Sequence, residues 1–259
     1  MCHSDLLYFK YDNLMASHLS FTMGHEYVAA LARNACFQPT CIYCGVDADN
    51  LCVANWPIGF GVDGFYAPYC AVRAEVVVPA VANIQPGQTV LIIGAGGLGL
   101  NGIQIAKNVL GVKYVVACDI RDGSLVDARA AGADFTALPG APALLADKKL
   151  VVDVACDFVG TNDTFNAALK AVRPKGTLQV IGFTSPTVDL PLIPAADKDL
   201  TVRFSMWGKL DELREVLGHI VAGKITPQVE TRVLATTVET FEDFMGGRIK
   251  RRMVLIPEH

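Results

Sequence analysis

Six residues, Gly94-Ala95-Gly96-Gly97-Leu98-Gly99, join a β-branched apolar stretch to a stretch with apolar residues at helical spacing. No other feature limits the possible folds as tightly. The apolar stretch, 89–93, predicts a strand buried on both faces. Leu98, Ile103, Ala106 and Leu110 predict a helix over 98–110. A glycine match alone is weak, but a strand before it and a helix after it make it informative. In that setting Gly94 permits a tight turn, Gly96 lets a pyrophosphate approach the backbone, and Gly99 lets helix and strand pack closely. Gly97 and Leu98 open the helix, whose N-terminal N–H groups and dipole favour phosphate. Asp119 follows Gly99 by 20 residues, at the end of a second predicted strand, 114–118. A carboxylate there accepts hydrogen bonds from ribose hydroxyls and repels a 2′-phosphate, which selects NAD over NADP. Arg121, two residues on, would soften that choice.

The alternation continues. Helices are expected over 123–131 and 162–172, and strands within 150–158 and over 177–181 and 201–204. Strand–helix alternation predicts a doubly wound parallel sheet of the Rossmann kind. Val159 and Gly182 fall at the C-terminal ends of strands, where the nicotinamide half of a dinucleotide belongs. The last fifty residues read as helix 210–222, strand 229–234, helix 238–245 and strand 252–256. A Rossmann domain over 86–209 is thus expected, with a β-rich domain over 1–85 to which 210–259 returns.

Composition excludes some functions. No apolar run approaches the ~18 residues a membrane-spanning helix needs. A net charge of −4 argues against nucleic acid as the partner. The first residues lack a basic segment followed by an apolar one, so the expected compartment is cytoplasmic. Eight cysteines then suggest metal ligands, catalytic groups or core residues rather than disulfides. Cys118 and Cys156, inside predicted buried strands, read as core.

Five of the eight cysteines precede position 53. They fall in or near three clusters: Cys2-His3-Ser4-Asp5, Gly24-His25-Glu26, and Cys41-Ile42-Tyr43-Cys44 with Cys52 shortly after. Thiolate and imidazole are the ligands zinc prefers. Together with the Gly94 turn, these clusters resemble the zinc-dependent medium-chain alcohol dehydrogenase family. Asp63-Gly64-Phe65-Tyr66-Ala67-Pro68-Tyr69, Gly132-Ala133-Asp134, Asp157-Phe158-Val159-Gly160 and Arg252-Met253-Val254-Leu255 extend the resemblance in the family's order. Residues 161–171 and Ser205-Met206-Trp207-Gly208 look most like fungal members.

The resemblance implies a GroES-like catalytic domain, NAD and Zn2+ as cofactors, and an alcohol or aldehyde as substrate. It implies Cys2, His25 and Glu26 at a catalytic zinc, His3 beside the cofactor, and Ser4 passing on the alcohol proton. It implies Cys41, Cys44 and Cys52 as thiolates of a separate structural zinc, and assembly as a homodimer or homotetramer.

Departures from the family pattern stand beside it. The family has a long segment before its Cys-His-Ser-Asp motif, and here Met1 directly precedes Cys2. Only 14 residues separate Glu26 from Cys41. The position of the family's first structural thiolate holds Gln38, with Cys36 nearby at a different spacing as the substitute. The linker that carries the third catalytic zinc ligand is missing between Pro79 and Pro86, and Cys70 is the nearest other thiol. Ser124 stands where the family often has a ribose-contacting lysine. Three functions remain open: a zinc-assisted, NAD-dependent alcohol dehydrogenase, an NAD-binding protein without turnover, and a zinc-free, quinone-reductase-like oxidoreductase using NADPH. Asp119 and the cysteine and histidine clusters speak against the last.

Overall fold

The computed structural model describes residues 6–9, 33–34, 40–46, 52, 56–57, 70–73, 83–138, 141–205, 210–249 and 252–256. The chain divides into two compact units. One comprises Met1–Pro79, Met206–Glu215 and Val229–His259, and the other Ala80–Ser205 and Val216–Gln228.

In the first unit, β1 (Leu6–Phe9), β2 (Arg33–Asn34), β3 (Trp56–Pro57) and β4 (Cys70–Arg73) form two antiparallel pairs, β1 with β4 and β2 with β3. The Asp63–Tyr69 motif lies outside the described residues.

The second unit is built on β5 (Thr89–Ile93), whose five residues are all buried. Val90 and Ile92 point to one face of the sheet, Leu91 and Ile93 to the other, and each face has its own apolar core. After β5 come α1 (Gly97–Gln104), β6 (Tyr114–Cys118), α2 (Asp122–Ala130), β7 (Phe135–Ala137), α3 (Ala141–Asp147), β8 (Val152–Asp157), α4 (Asn162–Ala171), β9 (Val172–Val180), α5 (Leu192–Asp197) and β10 (Thr201–Phe204). Leu100 and Ile103 of α1 and Ala128 of α2 fill one core. Leu145 of α3 and Phe165, Ala168 and Leu169 of α4 fill the other. Fully burying Phe165 contributes about 3 kcal/mol.

The six strands are parallel and ordered β10-β9-β8-β5-β6-β7. The order reverses between β5 and β8, which makes the fold a doubly wound Rossmann sheet and puts the binding crevice at those strands' C-terminal ends.

Some elements differ from the sequence reading. The helix expected over 98–110 divides: α1 ends at Gln104, and Ile105–Val109 is a π-helical turn in which Leu110 N–H reaches the Ile105 carbonyl at 3.0 Å. The strand expected from 177 begins at Val172, because Val172 pairs with Val152 before the register shifts. Lys175, at φ 59°, lies within that shifted stretch.

The remaining elements are α6 (Leu210–Val221), β11 (Val229–Val233), α7 (Thr237–Met245) and β12 (Arg252–Ile256). In the first unit, β11 and β12 pair in parallel, and Asp243 of α7 accepts from Arg232 and Arg248, each at 2.7 Å. Those two guanidinium groups hold the Asp243 carboxyl below its ordinary range. Among the described residues no helix is long and apolar enough to cross a membrane.

Candidate dinucleotide site and thiolate cluster

Each glycine of the 94–99 turn has its own physical reason. Gly94 has φ +91°, a conformation L side chains rarely adopt, and an added Cβ would lie 2.7 Å from Val159 Cγ2. Gly99 leaves no room for a side chain, since a Cβ would sit 1.8 Å from the Gly94 carbonyl oxygen. Gly96 is the opposite case: a Cβ there meets nothing within 4 Å, so the backbone borders open space. Gly97 and half-exposed Leu98 begin α1, whose first turn carries no acidic residue and whose N-cap, Gly96, makes no side-chain cap. The first N–H groups of the helix therefore have no intrahelical acceptor and no carboxylate within their own turn. A phosphate fits that chemistry.

Asp119 leaves the end of β6 and turns back to the glycine turn. Its Oδ2 accepts from the Ala95 N–H at 2.9 Å, and its Oδ1 accepts from the Arg121 N–H at 2.9 Å and from Arg121 Nε at 3.3 Å. The Asp119 side chain is 7% exposed and that of Arg121 56%. The carboxylate thus ties the turn to β6, and Arg121 partly neutralises it. The sequence placed Asp119 at the strand end, but its engagement with Ala95 and Arg121 has no spacing signature.

On the other side of the switch point, Val159 and Gly182 meet in a double loop. A Cβ on Gly160, at φ +73°, would lie 1.9 Å from the Gly182 carbonyl oxygen. One on Gly182 would lie 2.4 Å from the Val159 carbonyl carbon. Thr184 and Ser185 donate backbone bonds to the Val159 and Gly160 carbonyls at 3.0 and 2.9 Å. Beneath the loops is Asp157, fully buried. Its Oδ1 accepts from the Val159 and Gly160 N–H groups at 2.9 and 3.0 Å, and its Oδ2 from the Thr164 hydroxyl at 2.9 Å. The sequence motif Asp157-Phe158-Val159-Gly160 includes this acid but gives it no role, although an acid ending an apolar strand is a visible anomaly. Burial first, and the Asp157 charge second, push the neighbouring Cys156 thiol up to about 12. Cys118, at the end of β6, is raised to about 11 by burial and then by Asp119.

In the first unit, Cys41, Cys44 and Cys52 bring their sulfurs within 4.8 Å of one another. The Gly45 N–H donates to the Cys41 carbonyl at 2.8 Å, a turn that swings Cys44 back beside Cys41. Cys52 is buried and the other two are half-buried. Zinc–sulfur bonds of ~2.3 Å at tetrahedral angles put sulfurs about 3.8 Å apart, so the three thiolates suit one zinc. Cys36 and Gln38 lie outside the described residues, as do Cys2, His3, Ser4, His25 and Glu26.

A doubly wound sheet with a glycine turn at its switch point and an acid at the end of the next strand defines a dinucleotide-binding protein of the Rossmann class. Residues 97–222 match the zinc-binding dehydrogenase family model. An alcohol dehydrogenase of Geobacillus stearothermophilus is 28% identical over 302 aligned positions, which take in 98% of this chain and 88% of the relative. That span exceeds the 259 residues here, so the relative carries segments with no counterpart in this chain. An acetophenone reductase of Geotrichum candidum, solved with NAD, superposes with a TM-score of 0.71 at 29% identity, covering 87% of this chain and 72% of that one. An alcohol dehydrogenase of a Thermus species shares the fold, with a TM-score of 0.78 at 23% identity over 88% of this chain and 78% of that one. The chain is thus similar to zinc-type medium-chain alcohol dehydrogenases, by the family model over residues 97–222 and by the Geobacillus relative across 98% of this chain.

Proposed function

We propose that the protein is an NAD-dependent, zinc-assisted alcohol dehydrogenase. The glycine turn carries the reading: open space at Gly96, no room at Gly99, and an acid-free helix start. Gly94, Gly96, Gly97, Leu98 and Gly99 would hold the pyrophosphate, Asp119 the adenosine ribose, and Val159 and Gly182 the nicotinamide end. Bound NAD supplies a hydride acceptor, and a catalytic zinc supplies Lewis acidity toward the alcohol oxygen.

The chain's own residues do the rest. Cys2, His25 and Glu26 would hold the metal, His3 would lie beside the cofactor, and Ser4 would take the alcohol proton and pass it outward. Cys41, Cys44 and Cys52 would hold a second, structural zinc, with Cys36 as the fourth ligand. The proposed division is a catalytic domain over 1–85, a Rossmann domain over 86–209 and a return segment over 210–259. The substrate would be a small alcohol or its carbonyl product, in the cytoplasm. Assembly as a homodimer or homotetramer would run through the outer edge of β10, where Phe204 is exposed.

A second reading, an NAD-binding protein without turnover, is favoured by the segments of the Geobacillus relative that have no counterpart here. Calorimetric titration with NADH, elemental analysis and an alcohol-oxidation assay separate the two. NADH binding with zinc and turnover supports the dehydrogenase. NADH binding without turnover, in zinc-loaded protein, favours the second reading. No NADH binding sinks both.

A further inference from the structure

We infer that Asp157 is a positioning residue for the nicotinamide end of the dinucleotide site, an inference that rests on the cofactor reading above. A carboxylate buried at the end of β8 is costly unless its lone pairs are satisfied. Here they accept from two backbone N–H groups and one hydroxyl.

Capping α4 does not explain this arrangement. That helix already has its cap in Thr161, whose side chain accepts from the Thr164 N–H while the Thr164 hydroxyl accepts from the Thr161 N–H. Asp157 Oδ1 instead takes the N–H groups of Val159 and Gly160, in the loop before the helix. The Asp157 backbone carbonyl accepts from Ile181 and Gly182, so one residue fixes both loops of the wall. That wall leaves no tolerance. Val159 Cγ2 is placed against Gly94, and Gly160 and Gly182 are too close for any side chain.

The adenosine side is fastened separately, by Asp119 on the Ala95 N–H. Loosening Asp157 should therefore disturb nicotinamide placement and leave the adenosine side as it was. The requirement is for an acceptor at the Val159 and Gly160 N–H groups and a hydrogen-bond partner for the Thr164 hydroxyl, rather than for charge. The oxygen of an Asn amide would accept the same two N–H bonds, and its NH2 would donate to the Thr164 hydroxyl.

The test uses the full chain with NADH and ADP-ribose, which lacks the nicotinamide, as calorimetric probes. Asp157→Ala should weaken NADH binding about tenfold or more, with ADP-ribose changed by less than about twofold. Asp157→Asn should restore NADH affinity to within about threefold of the native value. Thr164→Val should weaken NADH alone by about threefold, and Thr164→Ser should match the native protein. If Asp157→Ala does not fold by circular dichroism, the Thr164 pair decides. Equal loss for both ligands, no loss in a folded Asp157→Ala, or an Asn variant as weak as the Ala variant overturns the inference. Native protein that binds neither ligand overturns the cofactor reading and this inference with it. Native protein that binds both, with variants that do not discriminate, overturns the inference alone.

Discussion

At the residue scale, Gly99 gives the sharpest prediction. A methyl group there would collide with the Gly94 carbonyl, and backbone yields less readily than the end of a flexible side chain. Gly99→Ala should lose about 2–3 kcal/mol in urea unfolding and weaken NADH binding, because α1 must back away from β5. The two buried thiols give a pH prediction. Their folded pKa values lie above the ordinary 9.0, so the folded state holds these protons more tightly than the unfolded one. Their contribution is fully present below about pH 9 and is lost as pH climbs toward about 11 for Cys118 and about 12 for Cys156. The urea midpoint should fall across that window, and Cys156→Ala should make the fall shallower. The glycines and Asp119 were legible because they recur at fixed offsets from a strand. The role of Asp157 was not, because its partners are backbone N–H groups and a hydroxyl that only the folded loop assembles.

At the element scale, legibility followed burial and length. The strands β5 and β6 announce themselves as apolar, β-branched runs, and α4 by its amphipathic spacing and the prolines and glycines after it. The elements β7, α3 and α5 carry no comparable signal: β7 has three residues, and the two helices are short and each contains a proline. Tertiary contacts define them, as one lysine illustrates. Lys198, the C-cap of α5, donates through Nζ to the carbonyls of Leu169, Lys170 and Val172 at 3.0, 2.8 and 2.8 Å. These carbonyls lie at the C-terminal end of α4, which the helix itself leaves unsatisfied. Partial burial lowers the Lys198 pKa, though the ammonium keeps all three acceptors. Lys198→Met keeps the apolar stem and removes the donors. It should cost about 1–2 kcal/mol and lower Tm by roughly 4 °C in a thermal melt.

At the scale of the whole molecule, the two chemistries fall in separate units, and that separation is testable. The glycine turn, Asp119 and Asp157 belong to the unit of Ala80–Ser205, while Cys41, Cys44 and Cys52 belong to the other. Thiolates must give up protons to bind zinc, and a site formed on folding returns its binding energy as stability. Chelation should therefore act on one unit and spare the ligand site of the other. Cys44→Ser should lose about one zinc equivalent per chain by elemental analysis and lower the midpoint of a chelator-sensitive unfolding transition. NADH affinity of the metal-free native protein should stay within about twofold of the loaded one, since no cysteine of the cluster belongs to the dinucleotide-binding unit. A large loss of NADH affinity on chelation would mean that the metal sites organise the Rossmann unit, and the glycine turn could then no longer carry the functional reading by itself.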